Sequence, residues 1–179
     1  MENIILVDTA DRPVGICEKL EAHAKPMLHR AFSIFLYSDG QMLLQRRNRN
    51  KYHSGGLWAN ACCSHPRAGE TLEEAASRRL REELGIQAPL TELFSFLYFA
   101  QFSKHLFEYE YDHVFLGEYS GTPDFNPDEA EEMRWVQFSQ LRRELVEHPE
   151  AFSVWFLSAA PRVLDCIEAQ SKPPAVVKQ

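Results

Sequence analysis

The pattern of hydrophobic and polar positions divides the chain into strands followed by helices. Apolar runs bounded by turn residues predict strands over residues 3–7, 31–37, 41–46, 90–100, 107–117 and 133–138. The Ser-Asp-Gly sequence at 38–40 is typical of a tight turn between the second and third of these strands. The Gly-rich segment 52–58 predicts a loop that enters another short strand.

The clearest helix is predicted over residues 71–84. Thr71 is an N-cap candidate, and Glu74 three residues later completes a capping box. Gly85 is a natural C-terminal stop. The helix has one apolar stripe with a spacing of four residues, formed by Leu72, Ala76, Leu80 and Leu84.

An amphipathic segment at 139–147 and a helix near 150–169 complete the pattern. Strands on both sides of a central helix, with more helix at the end, predict an α/β layered domain. We expect one domain over residues 1–170. The polar, Pro-containing segment 171–179 is expected to be a disordered tail.

Composition supports an ordinary globular protein of 179 residues, with 45% hydrophobic and 25% charged residues. The apolar runs are too short for a membrane span, and the N-terminus lacks the pattern of a secretory signal. We therefore expect a cytoplasmic protein with no membrane insertion.

The net charge of −7 disfavours a nucleic-acid partner, because general nucleic-acid binders are usually basic. A local basic cluster can still bind a small anion. Such a cluster is formed by Arg46, Arg47, Arg49 and Lys51, although it also suits a solvated loop.

The four cysteines do not form the pattern of a disulfide framework, since Cys62 and Cys63 are adjacent and cytosolic thiols stay reduced. The open question for this pair is whether each residue packs or reacts.

Glu83 lies within the apolar stripe of the predicted helix, about 20° from Ala76 on a helical wheel. A buried carboxylate needs a partner. Arg79, four residues earlier, could form a structural salt bridge with it. Alternatively, Glu83 could bind a divalent cation, which favours carboxylate oxygens.

Three histidines lie beside predicted elements: His23 and His29 before the strand at 31–37, and His65 before the helix. Strand alternation places Glu108 and Glu110 on one face. The histidines could be ordinary surface or core residues, and the glutamates a solvated strand face. Together they could supply nitrogen and oxygen ligands to one metal ion.

The region around the helix resembles the Nudix box, G-x5-E-x7-R-E-U-x-E-E-x-G-U, where U is a bulky aliphatic residue. The matching spacing is carried by Ser64, Glu70, Arg78, Arg79, Leu80, Glu82, Glu83, Gly85 and Ile86. Ser64 stands where the box has Gly, and Arg79 stands where it has Glu. That Glu belongs to the metal-binding set of diphosphate hydrolases, so its replacement favours a non-hydrolytic branch.

From about Val14 to Trp155, the chain is similar to the type I isopentenyl-diphosphate isomerases. The specific part is the Asn-x-x-Cys-x-His-Pro segment at 60–66, which precedes the Nudix-like helix. Supporting segments lie at 18–23, 28–33, 44–47, 78–85, 108–110 and 151–155. The resemblance implies a Nudix-like α/β fold with a mixed sheet between helices, and interconversion of isopentenyl and dimethylallyl diphosphate.

The resemblance also implies roles for individual residues. One Mn²⁺, Zn²⁺ or Mg²⁺ ion is expected on His23, His29, His65, Glu108 and Glu110. Glu83 matches the ligand of a Mg²⁺ ion that arrives with the substrate diphosphate. The catalytic residues are expected to be Cys63, Glu110, Tyr98 and Trp155. The diphosphate is expected to bind Lys19, Arg47, Lys51 and Arg79, and Cys62 is expected to be a small packed residue.

Two other functions remain open at this point. One is a Nudix hydrolase of a nucleoside diphosphate derivative, which gives Cys63 and Glu110 no shared task. The other is a binding module without turnover, which leaves both proton-transfer candidates unused.

Overall fold

A computed structural model describes residues 2–171, without the side chain of Ser171. In this range the strands are β1 (Asn3–Val7), β2 (Pro13–Glu18), β3 (His29–Ser38), β4 (Gln41–Arg47), β5 (Trp58–Ala59), β6 (Cys62–Ser64), β7 (Thr91–Ser103), β8 (Leu106–Glu118) and β9 (Ala130–Gln137). The helices are α1 (Lys19–Ala24), α2 (Leu72–Leu84), α3 (Phe138–Glu147) and α4 (Val154–Ser171). Beyond Ser171, the predicted tail lies outside the described residues.

The nine strands of this range form one mixed sheet with β3 at its centre. Along one edge, β3 pairs in parallel with β8 over most of its length. Along the other edge it pairs in antiparallel fashion with β1 at its start, β6 in its middle and β4 at its end. β7 extends the sheet beyond β8, and β9 pairs with β4.

Helices cover both faces of this sheet. The buried side chains Ala76, Leu80 and Leu84 of α2 pack with Phe32 and Ile34 of β3 on one face. On the other face, α3 and α4 pack over the sheet, with a core that includes Phe35, Val136, Leu141, Phe156 and Leu164. The predicted α/β fold with a mixed sheet between helices is therefore confirmed.

Helix α2 begins and ends where the sequence predicts. The Glu74 backbone N–H donates to Thr71 Oγ1 at 3.2 Å, and the Thr71 N–H donates to the Glu74 side chain at 2.9 Å. Gly85 ends the helix with φ of 65°, a left-handed conformation that a glycine adopts without steric cost.

Three short elements were absent from the prediction: β2, α1 and β6. β2 is exposed over most of its length and pairs with β1 alone, so it carries no buried alternation. α1 has six residues and β6 has three, which is too short for a period to be visible.

The last predicted helix begins later than expected. A 3₁₀ turn covers Pro149–Ala151, the Ser153 N–H donates to the Trp58 carbonyl at 3.0 Å, and α4 starts at Val154. Pro161 lies inside α4. Among the helices of residues 2–171, none is both long and apolar enough to cross a membrane.

The capping box of α2 makes a testable contribution to stability. We expect Thr71→Ala to lower the free energy of unfolding by about 1 kcal/mol, because it leaves the Glu74 N–H without its acceptor. Urea denaturation measures this change. Thr71→Ser keeps the acceptor and serves as the control, and an equal loss in both variants would contradict a capping role.

Candidate metal and proton-transfer site

A cavity of about 80 Å³ gathers most of the residues singled out from the sequence. It lies where β3, β6, β7 and β8 come together under α1 and the loop that follows β4. The predicted site residues among its lining are Lys19, Arg47, Lys51, Cys63, His65, Arg79, Tyr98, Glu108, Glu110 and Trp155.

Three imidazoles meet beside this cavity. The ring centroid of His29 is 4.7 Å from that of His23 and 5.0 Å from that of His65. His23 Nδ1 lies 2.7 Å from the Lys19 carbonyl oxygen, and His29 Nδ1 lies 2.8 Å from that of Met27. Because carbonyl oxygens only accept, both Nδ1 atoms carry a proton, and the neutral form of each ring presents a lone pair at Nε2.

Glu110 completes this group. Its Oε1 atom lies 3.0 Å from His65 Nε2 and 3.4 Å from His29 Nε2. One ligand atom from each of His23, His29, His65 and Glu110 lies within 4.8 Å of the others. His23 Nε2 is buried without a hydrogen-bond partner among the described residues. A buried lone pair aimed at two imidazoles and a carboxylate fits a divalent cation.

The protonation of these groups also suits metal binding. Burial lowers the pKa of His23 and lowers that of His65 to about 3, so both rings are neutral near pH 7. Burial alone would raise the pKa of Glu110, but the hydrogen bond with His65 and the nearby His29 ring hold that pKa well below the usual range. Neutral imidazoles and an ionised carboxylate are the forms that bind metal.

Glu108 lies next to this group but has different partners. Tyr98 O–H donates to Glu108 Oε2 at 2.6 Å and also contacts Glu110. His53 Nε2 lies 2.7 Å from the other oxygen of Glu108. One phenol hydrogen can bond only one carboxylate at a time. Two carboxylates that meet at one hydroxyl repel each other, and a further proton or a cation nearby would relieve that repulsion.

The Cys63 thiol lies in the same cavity, held by polar neighbours. Its Sγ atom is 3.0 Å from Asn60 Oδ1 and 3.1 Å from Trp155 Nε1. Burial raises the pKa of this thiol, and the nearby Asp112 carboxyl raises it further, so Cys63 stays protonated. Cys62 is fully buried among the side chains that pack on α2, as a small packed residue would be.

Cationic side chains also line this cavity, and two of them, Lys19 and Lys51, are paired with carboxylates. Lys19 Nζ donates to Glu2 at 3.0 Å, and Lys51 donates to Glu129. The Arg47 guanidinium lies over the Trp155 ring, 5.0 Å from its centroid. These surface-side pairs can exchange a carboxylate for a phosphate oxygen at little cost.

Glu83 is 3% exposed, as its position in the apolar stripe predicts. Burial raises its pKa, and the Arg79 guanidinium that donates to it lowers it. The salt bridge considered from the sequence is therefore present. Arg79 also lies 3.4 Å from Glu129, so Glu83 and Glu129 share one guanidinium beside the cavity.

Several residues of this region were not singled out from the sequence. His53 and Glu129 lie in loops, where the sequence has no periodic pattern. Ser33 lies beside Cys63 because of the pairing register of β3 with β6, which the sequence does not reveal. Asp112 was accessible to prediction, since it continues the alternation of Glu108 and Glu110 along β8. It is buried and accepts a hydrogen bond from Ser33 Oγ at 2.8 Å.

Comparisons with known proteins show what this chain is similar to. A family model described as the NUDIX domain matches residues 27–156. An "Isopentenyl-diphosphate Delta-isomerase 2" of Aromatoleum aromaticum is 47% identical over 92% of this chain and 88% of its own. A protein of the same name from Photorhabdus laumondii is 49% identical over 87% of this chain and 88% of its own.

Solved structures show the same fold. The protein DR0079 of Deinococcus radiodurans matches with a TM-score of 0.75 and 26% identity, covering 90% of this chain and 98% of its own. A MutT protein of Methanosarcina mazei matches with a TM-score of 0.63 and 20% identity, covering 81% of this chain and 96% of its own. The second likeness concerns the fold alone.

The buried histidines predict a pH-dependent stability of the metal-free protein. The unfolded chain protonates His65 below about pH 6.5, whereas the folded chain does so only near pH 3. The stability from this difference is complete above pH 6.5 and is lost as the pH falls from 6.5 through 3.

We therefore expect chelator-treated wild-type protein to lose about 1 kcal/mol more stability between about pH 7.5 and 5.5 than the His65→Gln variant does. Urea denaturation at both pH values measures the difference. Parallel losses in the two proteins would show that His65 is not held neutral by burial.

Proposed function

This chain belongs to the isopentenyl-diphosphate Delta-isomerases and carries their NUDIX domain, and on that premise we propose that it interconverts isopentenyl diphosphate and dimethylallyl diphosphate. The observation that carries the proposal is one cavity that holds Cys63, Glu110 and four cationic side chains. A substrate with a small hydrocarbon part and a diphosphate needs proton-transfer groups beside the hydrocarbon and cationic side chains beside the diphosphate.

The chemistry requires two proton-transfer groups. An isolated alkene is a weak base, so an acid must be held at the carbon that accepts the proton. The tertiary, carbocation-like state then loses a proton from the neighbouring carbon on the other side. We assign these two roles to Cys63 and Glu110. Tyr98 assists through its hydroxyl, which bonds Glu108 and contacts Glu110.

Trp155 is the residue we assign to the cationic state. Its ring is 3% exposed and forms part of the cavity wall. An aromatic face stabilises a nearby cation by about 0.5–2 kcal/mol. The Arg47 guanidinium lies over this ring, and this cation–π contact supports the assignment because it shows that the ring can lie next to a positive charge.

The diphosphate would bind Lys19, Arg47, Lys51 and Arg79. Phosphate oxygens would replace the carboxylates that pair with Lys19, Lys51 and Arg79, since charge-assisted bonds to phosphate are strong. Glu83 would hold a Mg²⁺ ion that neutralises part of the diphosphate charge, once Arg79 turns to the phosphate. The release of Glu83 and Glu129 from Arg79 supplies the carboxylate oxygens that Mg²⁺ prefers.

The resident cation would be Mn²⁺, Zn²⁺ or Mg²⁺ on His23, His29, His65 and Glu110, with Glu108 as a further ligand. Its positive charge would change the acidity of Glu110. Glu110 is therefore placed to serve both the metal and the proton transfer. Glu108 can join the ion when the hydroxyl of Tyr98 bonds Glu110 alone.

A direct assay tests the proposed reaction and its thiol. Purified protein with isopentenyl diphosphate should form dimethylallyl diphosphate, and a panel of nucleoside diphosphate derivatives should release no phosphate or nucleotide. We expect Cys63→Ala to lower kcat by about a hundredfold or more, because general acid–base groups contribute that much. Product formation is followed by chromatography.

Cys62→Ala is the matched control, because it removes the neighbouring thiol on the opposite face of β6. It should retain most of the turnover. Near-normal turnover of Cys63→Ala would refute the thiol's role, and release of phosphate from nucleotides without isomerisation would favour the hydrolase instead.

Metal removal tests the histidine and glutamate site. Chelated protein should lose isomerase turnover, and adding back Mn²⁺, Zn²⁺ or Mg²⁺ singly should restore it and identify the ion. His29→Gln should lower both the bound metal, measured by mass spectrometry of the elements, and the turnover. Full activity of metal-free protein would contradict the assigned role of this site.

A further inference from the structure

The side chain of Asn60 is buried in the turn between β5 and β6, next to the catalytic thiol. Its Nδ2 group donates to the carbonyl oxygens of Ile34 at 3.0 Å and of Cys62 at 2.8 Å. Since both carbonyls only accept, these two bonds fix which end of the amide is nitrogen. The amide oxygen must therefore face the other way.

That oxygen faces the thiol and the indole. Asn60 Oδ1 lies 3.0 Å from Cys63 Sγ and 3.2 Å from Trp155 Nε1. A flipped amide would set its oxygen against two carbonyl oxygens and its NH₂ group against the indole N–H. Each buried group left without a partner costs about 1–3 kcal/mol, so the observed orientation is strongly held.

The Trp155 indole reaches the same sulfur. Its Nε1–H lies 3.1 Å from Cys63 Sγ. The single indole hydrogen is shared between this sulfur and Asn60 Oδ1, so the thiol is flanked by an acceptor for its own hydrogen and by a shared donor to its lone pair. On its remaining side, Ser33 Oγ lies 3.6 Å away and has already given its hydrogen to Asp112.

We propose that Asn60 is a positioning residue for the proton transfer of Cys63, acting through its amide oxygen on the thiol hydrogen and on the Trp155 N–H. This inference rests on the proposed function. Asn60 fixes the sulfur at one point of the cavity wall without lining the cavity itself. Its loss therefore misplaces the reacting group and leaves the diphosphate contacts intact. Trp155 has a second task here, which belongs to its N–H and not to its ring face.

Kinetics separate positioning from binding. We expect Asn60→Ala to lower kcat by about tenfold to a hundredfold while KM for isopentenyl diphosphate changes by less than about twofold. Trp155→Phe keeps the aromatic face and should lower kcat less than Trp155→Ala does. The control is Trp135→Phe, which removes an indole hydrogen bond to Gly121 outside the cavity and should leave kcat unchanged.

Proton–nitrogen correlation spectra test the contact without relying on turnover. The chain has three tryptophans, so Trp155→Phe identifies the indole signal of Trp155. In Cys63→Ala protein, which keeps Asn60, the indole signal of Trp155 and the side-chain amide signals of Asn60 should both shift. The signals of Trp58 and Trp135 should stay in place and report that the fold is intact.

The outcomes distinguish this inference from the proposed function. If the wild-type protein isomerises the substrate and folded Asn60→Ala has an unchanged kcat, the positioning role alone is overturned. If Asn60→Ala does not fold, unshifted Trp155 and Asn60 signals in Cys63→Ala overturn it, and shifted signals support it. A wild-type protein that does not isomerise the substrate overturns the proposed function, and the positioning role with it.

Discussion

The parallel pairing of β3 with β8, in one particular register, is the constraint on which the site depends. This pairing sets His29 opposite Glu110, and the antiparallel pairing on the other edge of β3 sets Ser33 opposite Cys63. A shift by one residue would turn every side chain of β8 to the other face of the sheet. The central strand therefore aligns the carboxylates with the imidazoles and the thiol at once, while α2 and α4 hold it from both sides.

This register brings several buried carboxylates and imidazoles close together. Glu108 and Glu110 share the hydroxyl of Tyr98, and three imidazoles crowd around one of these carboxylates. Buried charge is costly unless a counter-charge accompanies it. A cation is the natural counter-charge for such a set, so the site is assembled for a ligand and its own residues do not fully satisfy one another.

Most of the fold was predictable because its main elements carry strong periods. The stripe and capping box of α2 and the long apolar strands β3 and β8 are local properties of the chain. The Asn-x-x-Cys-x-His-Pro segment and the carboxylates of β8 indicated residues that line one cavity in the structure. The partners of those residues depend on strand register and loop paths. The local sequence pattern therefore could not predict that His53 contacts Glu108 or that the Asn60 amide contacts the thiol.

Lys19 contacts both the imidazole group and the cavity, through different atoms of one residue. Its carbonyl oxygen orients the His23 ring, while its ammonium group faces the cavity and pairs with Glu2. An interaction that orders the backbone of Lys19 therefore favours both the orientation of the His23 ring and the placement of the ammonium group. Under the proposed function, thermodynamic linkage would make the effect reciprocal: an ion on the imidazoles would tighten the binding of the diphosphate, and the diphosphate would tighten the binding of the ion by the same factor.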